Sequence, residues 1–373
     1  MGSAFSFYIV DFENNVCYNQ PNNHFWEEIK MEKMQKALAA TEKGKLEIVE
    51  IAIPEPDDYE VLVENEGCVF CNTTDRMIID NLFHTPDYPV VIGHECFGHV
   101  IKLGKKVTKY KLGDRVICSN AIVNGFDGKY YSTWGGFAKY GISGDLDAYI
   151  ADNGDPDEAN HYRYRYRANY KIANDLSIEK AALAFPLAEA SSAIKQVGDL
   201  TGKTVVVIGT GVVGFSFTMF AKLYGAKKVI TLGIIEEKLE IAKKLGADET
   251  YIDVDEASNA IIASGGADIV FECCGNWRAL EKGLPYLKKD GLLAVFAVPK
   301  QPYSFDIRRS PRSFRCQLID PAVHVTIDET CKMLAEDKIP ADILLTHKCT
   351  LDEAPEAFER IRQEKDIKSL VIL

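Results

Sequence analysis

Cys71, His94 and Glu95 place a thiol, an imidazole and a carboxylate in one region of the chain. Together they are the donor set that suits zinc. His94 and Glu95 are adjacent in Gly93-His94-Glu95-Cys96-Phe97-Gly98, where flanking glycines let the backbone bend tightly. The runs on either side, 88–92 and 97–103, read as strands. Cys71 lies upstream in Gly67-Cys68-Val69-Phe70-Cys71-Asn72-Thr73-Thr74-Asp75. A second signal is Gly209-Thr210-Gly211-Val212-Val213-Gly214, which follows an apolar strand and opens a helix. In that context Gly209 permits a tight turn, Gly211 lets the backbone approach a pyrophosphate, and Gly214 lets helix and strand pack closely. The helix start offers free N–H groups and the positive end of its dipole to the phosphates. The expectation is a metal site working against a bound dinucleotide.

The next strand should end in a residue that reads the adenosine ribose. By register this is Gly233, followed by Ile234 and Ile235. No acid is there to hold a ribose hydroxyl and repel a 2′-phosphate, and no Arg follows to recruit one. Lys238 is the nearest cation. NAD is therefore not specified and NADP is admitted, with a lean to NADP. Thr210, Val212 and Val213 in the motif, with Gly233, Cys274 and Val298 at strand ends and Lys238 beyond Gly233, complete the expected cofactor contacts.

These residues need a scaffold of two kinds. From 35 onward the chain is β-rich: 35–40, 46–53, 60–66, 114–118 and 136–140 read as strands separated by short turns, which suggests a barrel-like β domain. The charges of Gly113-Asp114-Arg115 are expected to pair with each other. Residues 142–170 read as a long irregular connection containing His161-Tyr162-Arg163-Tyr164-Arg165-Tyr166-Arg167, whose alternation favours an edge strand over an anion grip. Two helices follow, one over 178–183 and a second from Pro186 through 196. Beyond Gly202, strands 204–208, 228–232, 249–253, 268–273 and 292–298 alternate with helices 212–224, 236–245 and 278–288. That pattern means a doubly wound parallel sheet. The tail is helical over 327–337 and 352–363 and ends in apolar 369–373.

The net charge of -12 disfavours an extended nucleic-acid surface, though one anionic cofactor can still be held locally. No apolar run reaches the length of a membrane span, and no signal peptide is visible at the start. The 10 cysteines are scattered through a long chain, as in a reducing cytoplasm. Residues 1–33 read as an N-terminal extension, since a clear pattern begins only near Met34.

Cys71, Gly93-His94-Glu95-x-x-Gly98, Gly113-Asp114-Arg115-Val116, Gly135-Gly136-Phe137-Ala138 and the glycine motif stand in one order. As a set they resemble the zinc-dependent medium-chain alcohol and polyol dehydrogenases, over nearly all of 34–373. The resemblance implies an α/β chain: a GroES-like β-barrel catalytic domain over 34–188 and 326–373, interrupted by a Rossmann domain over 189–325. It implies that Cys71 and His94 bind a catalytic zinc, that Glu95 lies beside it, and that the Thr73 hydroxyl starts a proton relay. It further implies a homodimer or homotetramer joined through the last Rossmann strand near 292–298. Polyols or sugar derivatives are the preferred substrates, oxidised or reduced with NAD or NADP.

Three departures matter. The family's usual third ligand position reads Phe185, which cannot ligate, and Glu189 stands one helical turn later. Either Glu189, with or without Glu95, replaces that ligand, or Glu189 merely favours the helix start. The family's cysteine-rich structural lobe retains only Cys118, so one catalytic zinc and no structural zinc are expected. Thr74 replaces a common aspartate, with Asp75 one place later, which leaves the outer partner of the ligands open. Cys68 and His99 read as core residues, and His84 as a possible substrate contact. Two rival readings stay open: a zinc-free quinone or enone reductase, and a non-catalytic nucleotide-binding protein.

Overall fold

The computed structural model describes residues 8–11, 16–19, 33–82, 88–132, 134–155, 166, 169–252, 255–297, 306–311 and 313–373. Strands β1 (Tyr8–Asp11) and β2 (Val16–Asn19) pair as an antiparallel hairpin. Next come β3 (Met34–Glu42), β4 (Lys45–Ala52), β5 (Glu60–Val69), helix α1 (Thr74–Ile79), β6 (Val90–Val91) and β7 (Glu95–Leu103). Then follow β8 (Arg115–Ile117), β9 (Tyr131–Ser132), β10 (Tyr140–Gly144), α2 (Leu146–Asn153), β11 (Lys171–Ile172) and α3 (Ile178–Lys195). The alternating part comprises β12 (Thr204–Ile208), α4 (Val212–Leu223), β13 (Lys228–Gly233), α5 (Glu236–Lys244), β14 (Glu249–Ile252), α6 (Asp255–Ala263), β15 (Ala267–Glu272), α7 (Trp277–Gly283), β16 (Leu287–Val295) and β17 (Phe314–Leu318). The chain ends with α8 (Ile327–Ala335), α9 (Ala341–Leu344), β18 (Leu345–Thr350), α10 (Ala354–Arg362) and β19 (Lys368–Ile372).

Strands β14-β13-β12-β15-β16-β17 form one parallel sheet, the doubly wound arrangement expected from the alternation. The first part folds as two further sheets, β11-β8-β7-β5-β19-β18 with β10 on β5, and β4-β3-β6-β9. Strand β5 is flanked by β7 and β19, with Val69 opposite Glu95 on one side and Leu370 on the other. The last strand of the chain therefore lies beside the turn that carries His94 and Glu95. Helix α3 packs on β5 and β7 and also on α4 and α8, so it joins the two parts. Leu183, Phe185 and Leu187 are buried there, each contributing roughly 1.5–3 kcal/mol.

Several expectations are corrected. The predicted break at Pro186 is absent: α3 runs through it as one helix, because the lost N–H is outweighed by a helix buried on several sides. The 142–170 stretch is not wholly irregular. It holds α2, whose start is capped by Asp145 accepting from Ala148 N–H. Most of the Tyr-Arg run lies outside the described residues; Tyr166 is buried with its hydroxyl on Glu60. Asp114 and Arg115 do not pair together. Lys171 lies 2.7 Å from Asp114, and Arg115 lies 2.6 Å from Glu66. Finally, the strand near 292–298 is not the last of the parallel sheet, because β17 pairs with β16 beyond it.

Candidate metal and dinucleotide site

Cys71 leaves the end of β5 and enters the turn before α1. Asp75, fully buried in the first turn of α1, accepts from the Cys71 N–H at 2.8 Å and fixes that turn. The Thr74 N–H points at the Cys71 sulfur at 3.4 Å and helps to place it. On the neighbouring strand, Gly93 has φ +100, and a Cβ there would lie 2.8 Å from the Phe137 backbone nitrogen. Only glycine fits that turn, which delivers His94 and Glu95 at the start of β7.

The ligand atoms of Cys71, His94 and Glu95 all lie within 4.8 Å of one another. His94 Nε2 is 3.9 Å from Glu95 Oε1, while its Nδ1 faces Asp75 Oδ1 at 3.5 Å. Both of those facing atoms are buried without a hydrogen bond. One imidazole nitrogen thus looks into the donor cluster and the other toward a carboxylate, the pairing that orients metal-bound histidines. Asp75 is the carboxylate placed where the sequence left the outer partner open. Burial favours the neutral imidazole, but Asp75 and Cys71 outweigh it and hold the His94 pKa well above the usual histidine range. Crowded negative charge around a buried imidazole is the electrostatic counterpart of a cation site. The donors and their charge fit zinc.

Lys368, at the start of β19, was missed. It is buried, donates to Phe70 O at 2.8 Å, and pairs with the Glu95 carboxylate. Burial opposes its charge, but Glu95 raises its pKa. The only sequence signal was a lysine leading an otherwise apolar terminal strand. Trp134 was also missed; its ring lies 4.9 Å from that of His94.

Glu189 lies on α3 outside the three-residue cluster. Burial and the nearby Glu95 push its pKa up to about 7. Phe185 is buried in the core. Thr73 is exposed and caps α1 without a side-chain bond, so its hydroxyl is available. Cys68, Cys96 and Cys118 are buried, and burial raises their thiol pKa values. His99 bonds Gly113 O at 3.2 Å and meets Glu66 at 3.3 Å, as a packed residue. His84 lies outside the described residues.

A cavity of about 520 Å³ opens over the carboxyl ends of β12, β13 and β15. Gly209, Thr210, Gly211, Val212, Gly233, Lys238 and Cys274, among the expected cofactor contacts, line it. Val213 and Gly214 do not. A Cβ on Gly214 would lie 2.0 Å from Gly209 O, so this glycine serves the packing of α4 on its strand. Val298 lies outside the described residues. Lys238 is already paired with Glu364 at 2.6 Å. Glu272 is buried and accepts from the Cys274 and Gly275 N–H groups at 2.9 and 2.8 Å, fixing the loop after β15. Sequence reasoning missed Asn72, Arg76, Arg278 and Lys282, which also line the cavity. Among the described residues no helix is long and apolar enough to cross a membrane.

Residues 57–149 match the model of the alcohol dehydrogenase GroES-like domain, and 212–316 that of the zinc-binding dehydrogenases. The chain is 25% identical over 351 residues to a D-xylulose reductase of Saccharomyces cerevisiae, covering 90% of this chain and 97% of that one. It is 28% identical over 354 residues to a sorbitol dehydrogenase of Halalkalibacterium halodurans, covering 90% and 98%. The crystal structure of benzyl alcohol dehydrogenase from Acinetobacter calcoaceticus shares the fold, with a TM-score of 0.77, 23% identity, and coverage of 91% and 99%. With both family models matched in the expected order around one donor cluster, the chain belongs to the zinc-binding medium-chain alcohol and polyol dehydrogenase family.

Proposed function

We propose that this oxidoreductase interconverts a secondary alcohol, preferably a polyol or sugar hydroxyl, and its carbonyl. The observation that carries the reading is the joining of Cys71, His94 and Glu95 in one donor cluster. Asn72, next to Cys71 in the chain, lines the cavity of the glycine turn. Cys71, His94 and Glu95 would hold one catalytic zinc, with Glu189 facing them from α3. When bound, the metal supplies a Lewis acid for the substrate oxygen, and the dinucleotide gives or takes the hydride. Asp75 fixes the His94 ring, and Lys368 fixes the Glu95 carboxylate. The Thr73 hydroxyl accepts the substrate proton and passes it to solvent.

Either nicotinamide dinucleotide fits the reading, and NADP is favoured. Gly233 offers no acid, and a Cβ there would lie 2.6 Å from Thr210 Cγ2, so Thr210 itself keeps an acid out. Arg278 and Lys282 add positive charge to the same cavity. We take 34–188 with 326–373 as the catalytic unit, 189–325 as the cofactor unit and 1–33 as an extension. A homodimer or homotetramer, acting in the cytoplasm, completes the proposal.

The test is a panel of polyols, sugars and secondary alcohols run with both cofactors on zinc-quantified protein. Zinc near one equivalent per chain with polyol turnover is expected. Metal-free protein that reduces quinones or enones would replace the reading with a zinc-free reductase. Cofactor binding with no turnover across the panel would replace it with a non-catalytic nucleotide binder. Full zinc and activity in Glu189→Ala would remove Glu189 from the metal site.

A further inference from the structure

Among the described residues, eight buried side-chain polar atoms lack a hydrogen-bond partner, and four belong to Asn72, Asp75, Arg76 and His94. Such atoms are rare and call for a reason. Asp75 and His94 face each other. Arg76 Nε faces Asp80 Oδ2 at 3.6 Å, beyond hydrogen-bond reach, and Asn72 Oδ1 is left without a donor; both residues line the cavity that also holds the glycine turn. Arg76 lies in the first turn of α1 and Asn72 in the turn just before the cap Thr73. Asn72 is anchored by its Nδ2, which donates to Ile367 O at 3.0 Å, and its acceptor oxygen is left over. Arg76 meets Asp80 only at 3.6 Å, and Asp80 also faces Arg362 at 3.2 Å.

An unused acceptor beside a guanidinium only loosely paired with Asp80 matches a sugar hydroxyl beside a phosphate. A carbonyl oxygen takes a hydroxyl proton and repels phosphate, whereas guanidinium grips phosphate oxygens in a fork. Across the cavity, the turn at Gly209–Val212 presents the amino end of α4, the other half of a diphosphate cradle. Lys238, near Gly233, is committed to Glu364.

We propose that Arg76 holds the diphosphate of the dinucleotide from the wall facing the glycine turn. In the same proposal, Asn72 Oδ1 accepts a hydroxyl of the ribose nearest the metal cluster. The proposal rests on the dinucleotide reading above. Because Asn72 follows Cys71 directly, this clamp sets the register of the cofactor against the metal ligands. It makes α1 a positioning element shared by both halves of the site.

The experiment measures dissociation constants by titration of protein fluorescence or by calorimetry, using adenosine, ADP, ADP-ribose and NADP on metal-quantified protein. In Arg76→Ala, ADP, ADP-ribose and NADP should each bind about tenfold to a hundredfold more weakly, the loss of one charge-assisted contact. Adenosine should be unaffected. Arg76→Lys should recover part of the loss, since it restores the charge without the fork. Asn72→Ala should weaken ADP-ribose and NADP while leaving ADP unchanged. Unchanged ADP-ribose affinity in Arg76→Ala, or an equal loss for adenosine, overturns the clamp while leaving dinucleotide binding intact. Wild-type protein that binds none of the four ligands overturns the dinucleotide reading, and the clamp with it.

Discussion

The Cys71–His94–Glu95 donor cluster and the glycine-turn cleft meet at Cys71–Asn72 but are built in opposite ways. The cluster consists of buried side chains that commit one another: Asp75 to His94 and Cys71, Lys368 to Glu95. The cleft consists of backbone and missing side chains, at Gly209, Gly211 and Gly233, rimmed by long cations such as Arg278. A buried charged network is costly to disturb, because each partner removed leaves another without compensation. A glycine-lined cleft costs the fold little, and its chemistry appears only when the ligand arrives. The two regions should therefore fail differently: the cluster through metal and stability together, the cleft through affinity alone.

The largest effect is expected inside the cluster. His94→Ala removes one donor and leaves Asp75 facing an empty space. Metal content should fall to background and turnover by about a thousandfold or more, since Lewis-acid stabilisation is worth several kcal/mol. Elemental analysis beside a cofactor-absorbance assay measures both. A variant that keeps full metal and activity would remove His94 from the cluster. Next comes Lys368→Met, which leaves the Glu95 carboxylate buried without its cation. Breaking a buried pair in this way costs about 3–5 kcal/mol. The loss should be largest in metal-stripped protein and shrink on zinc loading, because a divalent ion takes over as counterion. Denaturant midpoints with and without zinc report it; an equal loss in both states would show that Lys368 does not share Glu95 with the metal.

The parts legible in the sequence were those with short-range signatures. The glycine motif needs only a strand before it and a helix after it, and both were visible in the apolar runs at 204–208 and 212–224. Cys71, His94 and Glu95 were legible by residue type. Lys368 was not, because 273 residues separate it from Glu95, and only the antiparallel docking of β19 on β5 brings them together. Arg76 and Asn72 were hidden for the same reason: their role depends on a cavity whose other wall begins at Ile208. The Pro186 break failed because local propensity gave way to tertiary burial. Strand β17 was missed because its pattern is mostly exposed, with little periodic apolar signal.

The cleft side of the contrast is sharpened by two glycines three residues apart. A Cβ on Gly211 meets nothing within 4 Å, and its φ of -87 suits any residue. Gly211→Ala should therefore keep the wild-type melting temperature yet bind dinucleotide about tenfold more weakly, since a methyl group enters the space of the pyrophosphate. Gly214→Ala should instead lower the melting temperature, because its Cβ would press on Gly209 O. Paired melting curves and cofactor titrations separate the two. Equal affinity in Gly211→Ala and wild type would mean that the phosphates do not approach the backbone at that turn.

The smallest effect tests where the cluster ends. His99 shares β7 with Glu95 but points to Glu66 and Gly113 O. Its bond to Glu66 raises its pKa, against the opposing effect of burial. Burial pushes Glu66 up, but His99 and Arg115 outweigh it and hold it below the usual glutamate range. A raised histidine pKa in the folded state means that its contribution is complete below about pH 6.5 and is lost as pH rises through the folded value. The lowered Glu66 works in the other sense, with a contribution present above about pH 4.3 and lost as pH falls. Both side chains are about a third exposed, so solvent screening limits the pair to about 0.5 kcal/mol. Wild-type stability should decline slightly as pH rises above 6.5, and His99→Gln should remove that decline while keeping metal and dinucleotide affinity. Loss of metal in His99→Gln would instead extend the cluster along β7, four residues beyond Glu95.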